Sequence, residues 1–396
     1  MNFAAGLALL VTLVIQAMVA MALLSLPVMA PVVARALGVS PALVGVYVAV
    51  TYLGAMTASL LGGDTVRRLG AIRVSQWGLL LCATGLLLCT LPHLPAIALG
   101  AVLIGLGYGP ITPASSHVLA RTTPPAQMSL VFSIKQTGVP VGSMLAGAIV
   151  PSLLLGIDWQ ASLAAVALVC VVCAVLAQPL RAGLDADRDA HHPVHLGSLA
   201  RPVRLVLAHR SLSTMAACSF MFSMVQMSLT TYLVTYLNQD LAFGIVAAGL
   251  ALSAAQMGGV AGRIAWGYIA DRWLGASRTL MLLAALMVAS ALATTLLSSQ
   301  TPRWLLVPVL VVFGASAIGW NGVYLAEVAR QAPAGQASLA TGGTLAFTFL
   351  GVVIGPPVFG LLATVFGTYR AGFFALMGVA SLCGLLLWRL QTSRSA

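Results

Sequence analysis

"GYIADRWLGASR", residues 267–278, is a short turn of glycines, one acid and two arginines set between two long apolar runs. A near echo, "GGDTVRRLGAIR", fills residues 62–73, again between two apolar runs. One plan of run, basic turn and run therefore occurs in each half of the chain.

The runs themselves set the class. The chain has 396 residues, of which 60% are hydrophobic and only 7% charged, with a mean hydropathy of +1.03. A soluble domain carries about 25% charged residues, so this composition predicts an integral membrane protein. A span needs about 20 mostly apolar residues. Runs of that kind fall at 5–34, 41–62, 74–92, 95–120, 127–155, 160–180, 212–237, 243–269, 279–299, 303–330, 335–366 and 371–390. The expected fold is all-α, with 12 transmembrane helices in two pseudo-symmetric six-helix bundles. The bundles are residues 1–180 and 211–396, joined by a polar linker at 181–210. The first run carries no charge before Arg35 and continues past Met29, so a retained span is expected rather than a cleaved signal peptide.

Charge placement gives orientation. Fourteen arginines fall in one set of loops, and only Arg35, Arg303 and Arg370 in the other. Loops rich in Lys/Arg stay on the cytoplasmic side, so both termini are expected there, in a bacterial-type inner (plasma) membrane. The net charge of +11 is spread over many short loops, which argues against nucleic acid and for a lipid bilayer as partner. The six cysteines lie in apolar runs and read as free thiols. Cys170 and Cys173 lack the second pair that a zinc site would need. The linker, "RAGLDADRDAHHPVHLGSLARPVRLVLAHR", has His191, His192 and His195 beside three aspartates. A solvated connection is the favoured reading over a metal site, and its basic tail reads as an amphipathic surface helix. No metal or cofactor is implied, and a monomer is expected. "GLGYGP" at 105–110 follows no strand, so it is read as a packing or bending point of span four.

With this organisation in view, the sequence resembles the major facilitator superfamily over essentially its whole length. The most specific feature is the loop motif G-x-x-x-D-R/K-x-G-R/K-R/K. Its second copy is carried by Gly267, Asp271, Arg272, Gly275 and Arg278. The first copy keeps Gly63, Arg68 and Gly70 but has Arg67 where aspartate is expected, with Asp64 three residues early. The resemblance implies a conformational latch at these residues, with Asp271 its better candidate. "GVPVGSMLAG" and "GVVIGPPVFG" are similar to the glycine-proline motif of antiporters. "GRIAWGYIADR" resembles span eight of the oxalate/formate antiporter and monocarboxylate transporter branches, which implies a carboxylate-binding role for Arg263.

The residues also support a chemical reading of their own. A charge in mid-membrane costs about 2.5–3.5 kcal/mol and marks a pathway or ion site. Lys135, the only lysine, Arg263 and the only glutamate, Glu327, qualify. Lys135 and Arg263 each lie about 12 Å from the arginine-rich ends of their spans, at 1.5 Å per residue. Two cations without a nearby acid suit an anionic substrate, with arginine as a planar fork and lysine as a point charge. Glu327 is a candidate for proton coupling, or an ion pair with Arg330 at i,i+3. Trp320, Asn321 and Tyr324, with Gln226 and Tyr232 of span seven and Gln16 of span one, are further substrate-binding candidates. The expectation is a secondary transporter of a small organic anion, a carboxylate, by alternating access with proton coupling or exchange. Two alternatives stand beside it: efflux of amphipathic drugs by proton antiport, and a non-transporting membrane sensor or scaffold. No nucleotide loop or catalytic set is found, so an enzyme is not expected.

Overall fold

A computed structural model describes residues 3–124, 127–192, 200–333 and 336–395. Among them there is no strand, and eleven helices are long and apolar enough to cross a membrane. In hydrocarbon every backbone N–H and C=O must be satisfied within the segment, which a helix alone achieves for a single run. The chain forms two compact units, Met1–Pro41 with Tyr47–Gly197, and Ala42–Val46 with Ser198–Ala396.

The first unit holds α1 (Phe3–Val28), α2 (Ala30–Leu37), most of α3 (Val44–Leu69), α4 (Ala71–Cys89), α5 (Leu94–Tyr108), α6 (Ile111–Thr122), α7 (Met128–Gln136), α8 (Gly138–Leu153) and α9 (Trp159–Leu176). Span four is interrupted between α5 and α6 at Gly109–Pro110, the bend expected of "GLGYGP". A Cβ on Gly105 would lie 2.0 Å from the Thr51 carbonyl oxygen, so α5 touches α3 backbone to backbone.

The fifth expected span, which is not among those eleven, is also broken. It is α7 and α8, meeting at Thr137. Pro140 has no N–H to offer the Gln136 carbonyl four residues back. The Thr137 hydroxyl instead closes the end of α7 by donating to the Ile134 carbonyl at 2.6 Å. Lys135 thus stands in the last turn of a half-helix.

Beyond α9, a short helix α10 (Arg181–Leu184) leads into a segment that folds back onto the unit. Asp185 accepts from the N–H groups of Ile72 and Arg73. Asp187 bridges His117, at 2.6 Å, and Arg121. The Asp189 N–H donates to the Arg67 carbonyl, and His192 pairs with Asp64 at 3.0 Å. Residues 181–192, largely exposed as expected of a solvated connection, also form a clasp over the arginine-rich ends of α3, α4 and α6. The aspartates are drawn down by unsatisfied helix-end donors and by cations. No group of three metal-ligating side chains occurs among the described residues; His195 lies outside them.

The second unit holds α11 (Ala200–Ala208), α12 (Arg210–Gln239), α13 (Ile245–Ile269), α14 (Ala276–Leu296), α15 (Arg303–Gly319), α16 (Asn321–Gln331), α17 (Ala337–Phe366) and α18 (Arg370–Ser395). Its principal pairs are α13 with α15, α12 with α17 and α14 with α18. The expected amphipathic helix is α11. It buries Val206 completely, and the Gly343 position of α17 rests against Pro202 and Val206. The six cysteines are free thiols.

Candidate functional site

In the first unit the buried polar side chains include Gln16 of α1, Ser115 of α6 and Lys135 of α7. Lys135 is only 1% exposed, so it does not reach out to a headgroup. Its ammonium lies 3.5 Å from the Gln136 amide oxygen. Its place in the last turn of α7 sets the side chain near the negative end of the helix dipole. Three residues on, Gly138 lets α8 close against α1, where an added Cβ would lie 3.0 Å from Gln16 Cβ and Cγ. Gln16 is fully buried. Its Oε1 accepts from the Thr112 hydroxyl at 3.3 Å, while its Nε2 has no hydrogen-bond partner. A buried amide donor left unsatisfied costs about 1–3 kcal/mol, which is tolerated most readily where a ligand completes the bond.

The second unit has a cluster of its own. Gln226 Oε1 on α12 accepts from Trp320 Nε1 at 2.9 Å and from Asn321 Nδ2 at 3.4 Å. Trp320 sits at the break between α15 and α16, edge-on to Phe222 and to Tyr324. The Gln256 amide on α13 donates to Thr230 at 3.2 Å, and Thr230 donates to the Gln226 carbonyl. Gln226, Trp320, Asn321 and Tyr324 are therefore brought together. Tyr232 stands apart. Its hydroxyl donates to the Ala42 carbonyl at 2.7 Å and its ring stacks on Phe359. Thr112 and Gln256 were not singled out from the sequence. A lone glutamine in "LSAAQMGG" was the available signal for the latter.

Arg263, half-buried on α13, donates through Nε to the Ile318 carbonyl at 3.3 Å. Glu327 is fully buried, takes the Ser277 hydroxyl at 2.9 Å, and is paired with Arg330 and Gln331. Asp271 and Arg272 are exposed on a π-helical turn, Ala270–Leu274, which Gly275 ends with φ +75. Gly267 and Gly275 lie on this turn's flanks, and Arg278 is exposed at the start of α14. In the first unit Gly63 and Arg68 are exposed near the end of α3. Gly70, with φ +97, makes the corner into α4.

The sequence matches the Major Facilitator Superfamily profile over residues 9–344. The chain belongs to this family. Membership and the eleven apolar helices make it a multi-pass membrane protein of a transporter superfamily. It is 27% identical over 285 residues to an uncharacterized MFS-type transporter of Mycobacterium tuberculosis, covering 72% of this chain and 62% of that one. It is 24% identical to the probable anion transporter 4, chloroplastic, of Oryza sativa subsp. japonica, covering 86% of this chain and 59% of that one. The chain thus spans about three-fifths of the length of these curated relatives. Among solved structures, a nucleoside transporter superposes with a TM-score of 0.77 at 15% identity, over 96% of this chain and 99% of that one. At that identity the likeness concerns the fold.

Proposed function

We propose that this superfamily member carries a small organic anion, a carboxylate, by alternating access coupled to protons or to exchange. The observation that carries the reading is Lys135, a fully buried ammonium at the end of a half-helix, in the same unit as the unsatisfied amide of Gln16. A carboxylate offers the ammonium a charge-assisted hydrogen bond and gives the Gln16 amide the acceptor it lacks. The name of the Oryza sativa relative, an anion transporter, points the same way. Within the second unit, taken by itself, Arg263 is proposed as an anion contact, and Gln226, Trp320, Asn321 and Tyr324 as that unit's polar substrate contacts. We place the protein in a bacterial-type inner membrane with both termini cytoplasmic, on the strength of the arginine asymmetry.

The test is uptake into proteoliposomes of mono- and dicarboxylates, with and without a pH gradient. Saturable carboxylate uptake that other carboxylates inhibit is expected. If neutral or cationic amphiphiles move instead and carboxylates neither move nor compete, the anion reading fails and drug efflux replaces it.

A further inference from the structure

Away from the polar clusters, the outer face of the first unit carries a groove between α4 and the end of α9. It has a volume of about 370 Å³ and opens into a second hollow of about 450 Å³ beside α10, the two sharing Gln178 and Arg181. Its lining changes along its length. Leu80 and Val175, 39% and 65% exposed, form the apolar floor at the span level, with Trp77 beside them at 59%. Gln76 follows, donating through its amide to the Ala174 carbonyl and to Gln178. Arg73 and Arg181 close the upper end, and Arg188 borders the second hollow.

Arg73, Gln76, Trp77 and Leu80 recur at helical spacing, so they make one stripe down α4. From Leu80 to Arg73 the rise is about 10 Å at 1.5 Å per residue. The stripe runs from hydrocarbon to water, with its aromatic ring where rings settle at a membrane interface. The one acid at the upper end, Asp185, has both carboxylate oxygens bonded to the N–H groups of Ile72 and Arg73. Among the described residues no carboxylate pairs with the guanidinium of Arg73, Arg181 or Arg188.

We infer that this groove is a binding site for an anionic phospholipid. An acyl chain lies over Leu80 and Val175, and the phosphodiester is held by Arg73 and Arg181 with Arg188 at its rim. The guanidinium fork is suited to phosphate oxygens. A lipid so placed joins α4 to the clasp, because Arg181 and Arg188 flank Asp185 in sequence.

The test uses the purified full-length protein in detergent, with native mass spectrometry of bound phosphatidylglycerol against phosphatidylcholine. Two variants are made: R73Q/R181Q, which removes the headgroup contacts, and V175W, which fills the floor at an exposed position without touching an arginine. Both should lower phosphatidylglycerol occupancy about tenfold and leave the weaker phosphatidylcholine adducts unchanged. Thermal melting in lipid-free detergent should be the same for V175W and wild type. Wild-type occupancy in either variant overturns the site, as does equal binding of the two lipids by the wild-type protein. Displacement of phosphatidylglycerol by millimolar inorganic phosphate or glycerol phosphate would also overturn it, by assigning the groove to a soluble anion.

Discussion

Asp185 and Ile72 are joined across 113 positions of sequence by a 2.8 Å hydrogen bond from the Ile72 N–H to Oδ1, and Oδ2 takes the next N–H, that of Arg73, at 3.0 Å. The carboxylate caps α4 from a different segment. It satisfies two of the donors that a helix start leaves open and adds a charge at the positive end of the dipole. Gly70 is required beside it, for its φ is +97 and a Cβ there would lie 2.4 Å from Asp185 Cγ.

Replacing Asp185 with Ala should therefore cost about 1–2 kcal/mol, read as a lower melting temperature in detergent. D185N, which keeps one acceptor, should lose less. G70A should lose at least as much as D185A, because strain adds to displacement of the cap. Wild-type melting of D185A would mean that the clasp adds nothing to the unit.

This cap also marks the limit of what the sequence revealed. The span pattern, the twofold plan and the break at Gly109–Pro110 were legible because hydrocarbon forces long apolar runs and Gly/Pro interrupts them. Residues 181–192 read as solvated, since their composition is polar. That their aspartates meet Ile72, Arg73, His117 and Arg121 depends on chain ends being brought together by the fold. The cluster of Gln226 with Trp320 was named as candidates one by one. The hydrogen bond joining them spans 94 positions and left no local pattern. Lys135 was visible as an anomaly. The half-helix end that makes its burial tolerable needed Thr137 and Pro140 to be seen in space.

Tyr369, in the turn before α18, offers a pH test outside the spans. Its N–H and the Thr368 hydroxyl both donate to Asp240. Burial, with the nearby Asp240 charge, pushes the phenol up to about 12. The unfolded chain ionises this group near its ordinary value of 10.0, so the folded state holds the extra proton. Stability is then full below pH 10 and falls between pH 10 and about 12, by about 1.4 kcal/mol per pH unit for one proton. Y369F should flatten that part of the melting profile, and an unchanged slope would assign it to another group.

Glu327 separates two roles by experiment. Its bonds to Ser277, Arg330 and Gln331 make it the anchor of the arginine-rich end of α16. E327Q leaves Arg330 without its charge partner; because the arginine is largely exposed, a loss of about 1 kcal/mol is expected, read as a lower melting temperature. If the residue also carries the coupling proton, E327Q should abolish uptake driven by a pH gradient while counterflow exchange persists. Gradient-driven uptake at the wild-type rate would remove Glu327 from coupling.

Gln16 and Lys135 give the sharpest test of the anion site, because removing each has opposite consequences for stability and for transport. Gln16 Nε2 is a buried donor without a partner. Q16L takes that unsatisfied group away at similar volume, so the melting temperature should hold or rise. If the amide serves a substrate carboxylate, kcat/KM for uptake should nevertheless fall about tenfold, the equivalent of one hydrogen bond of about 1.4 kcal/mol. K135Q removes the charge and should cost about a hundredfold or more, since a charge-assisted bond is roughly twice as strong as a neutral one. A packing role for either residue predicts the reverse pattern, with lost stability and intact affinity. Affinity measured by substrate protection against heat, in the same detergent, separates the two. Wild-type affinity in both variants would move the anion site away from α1 and α7.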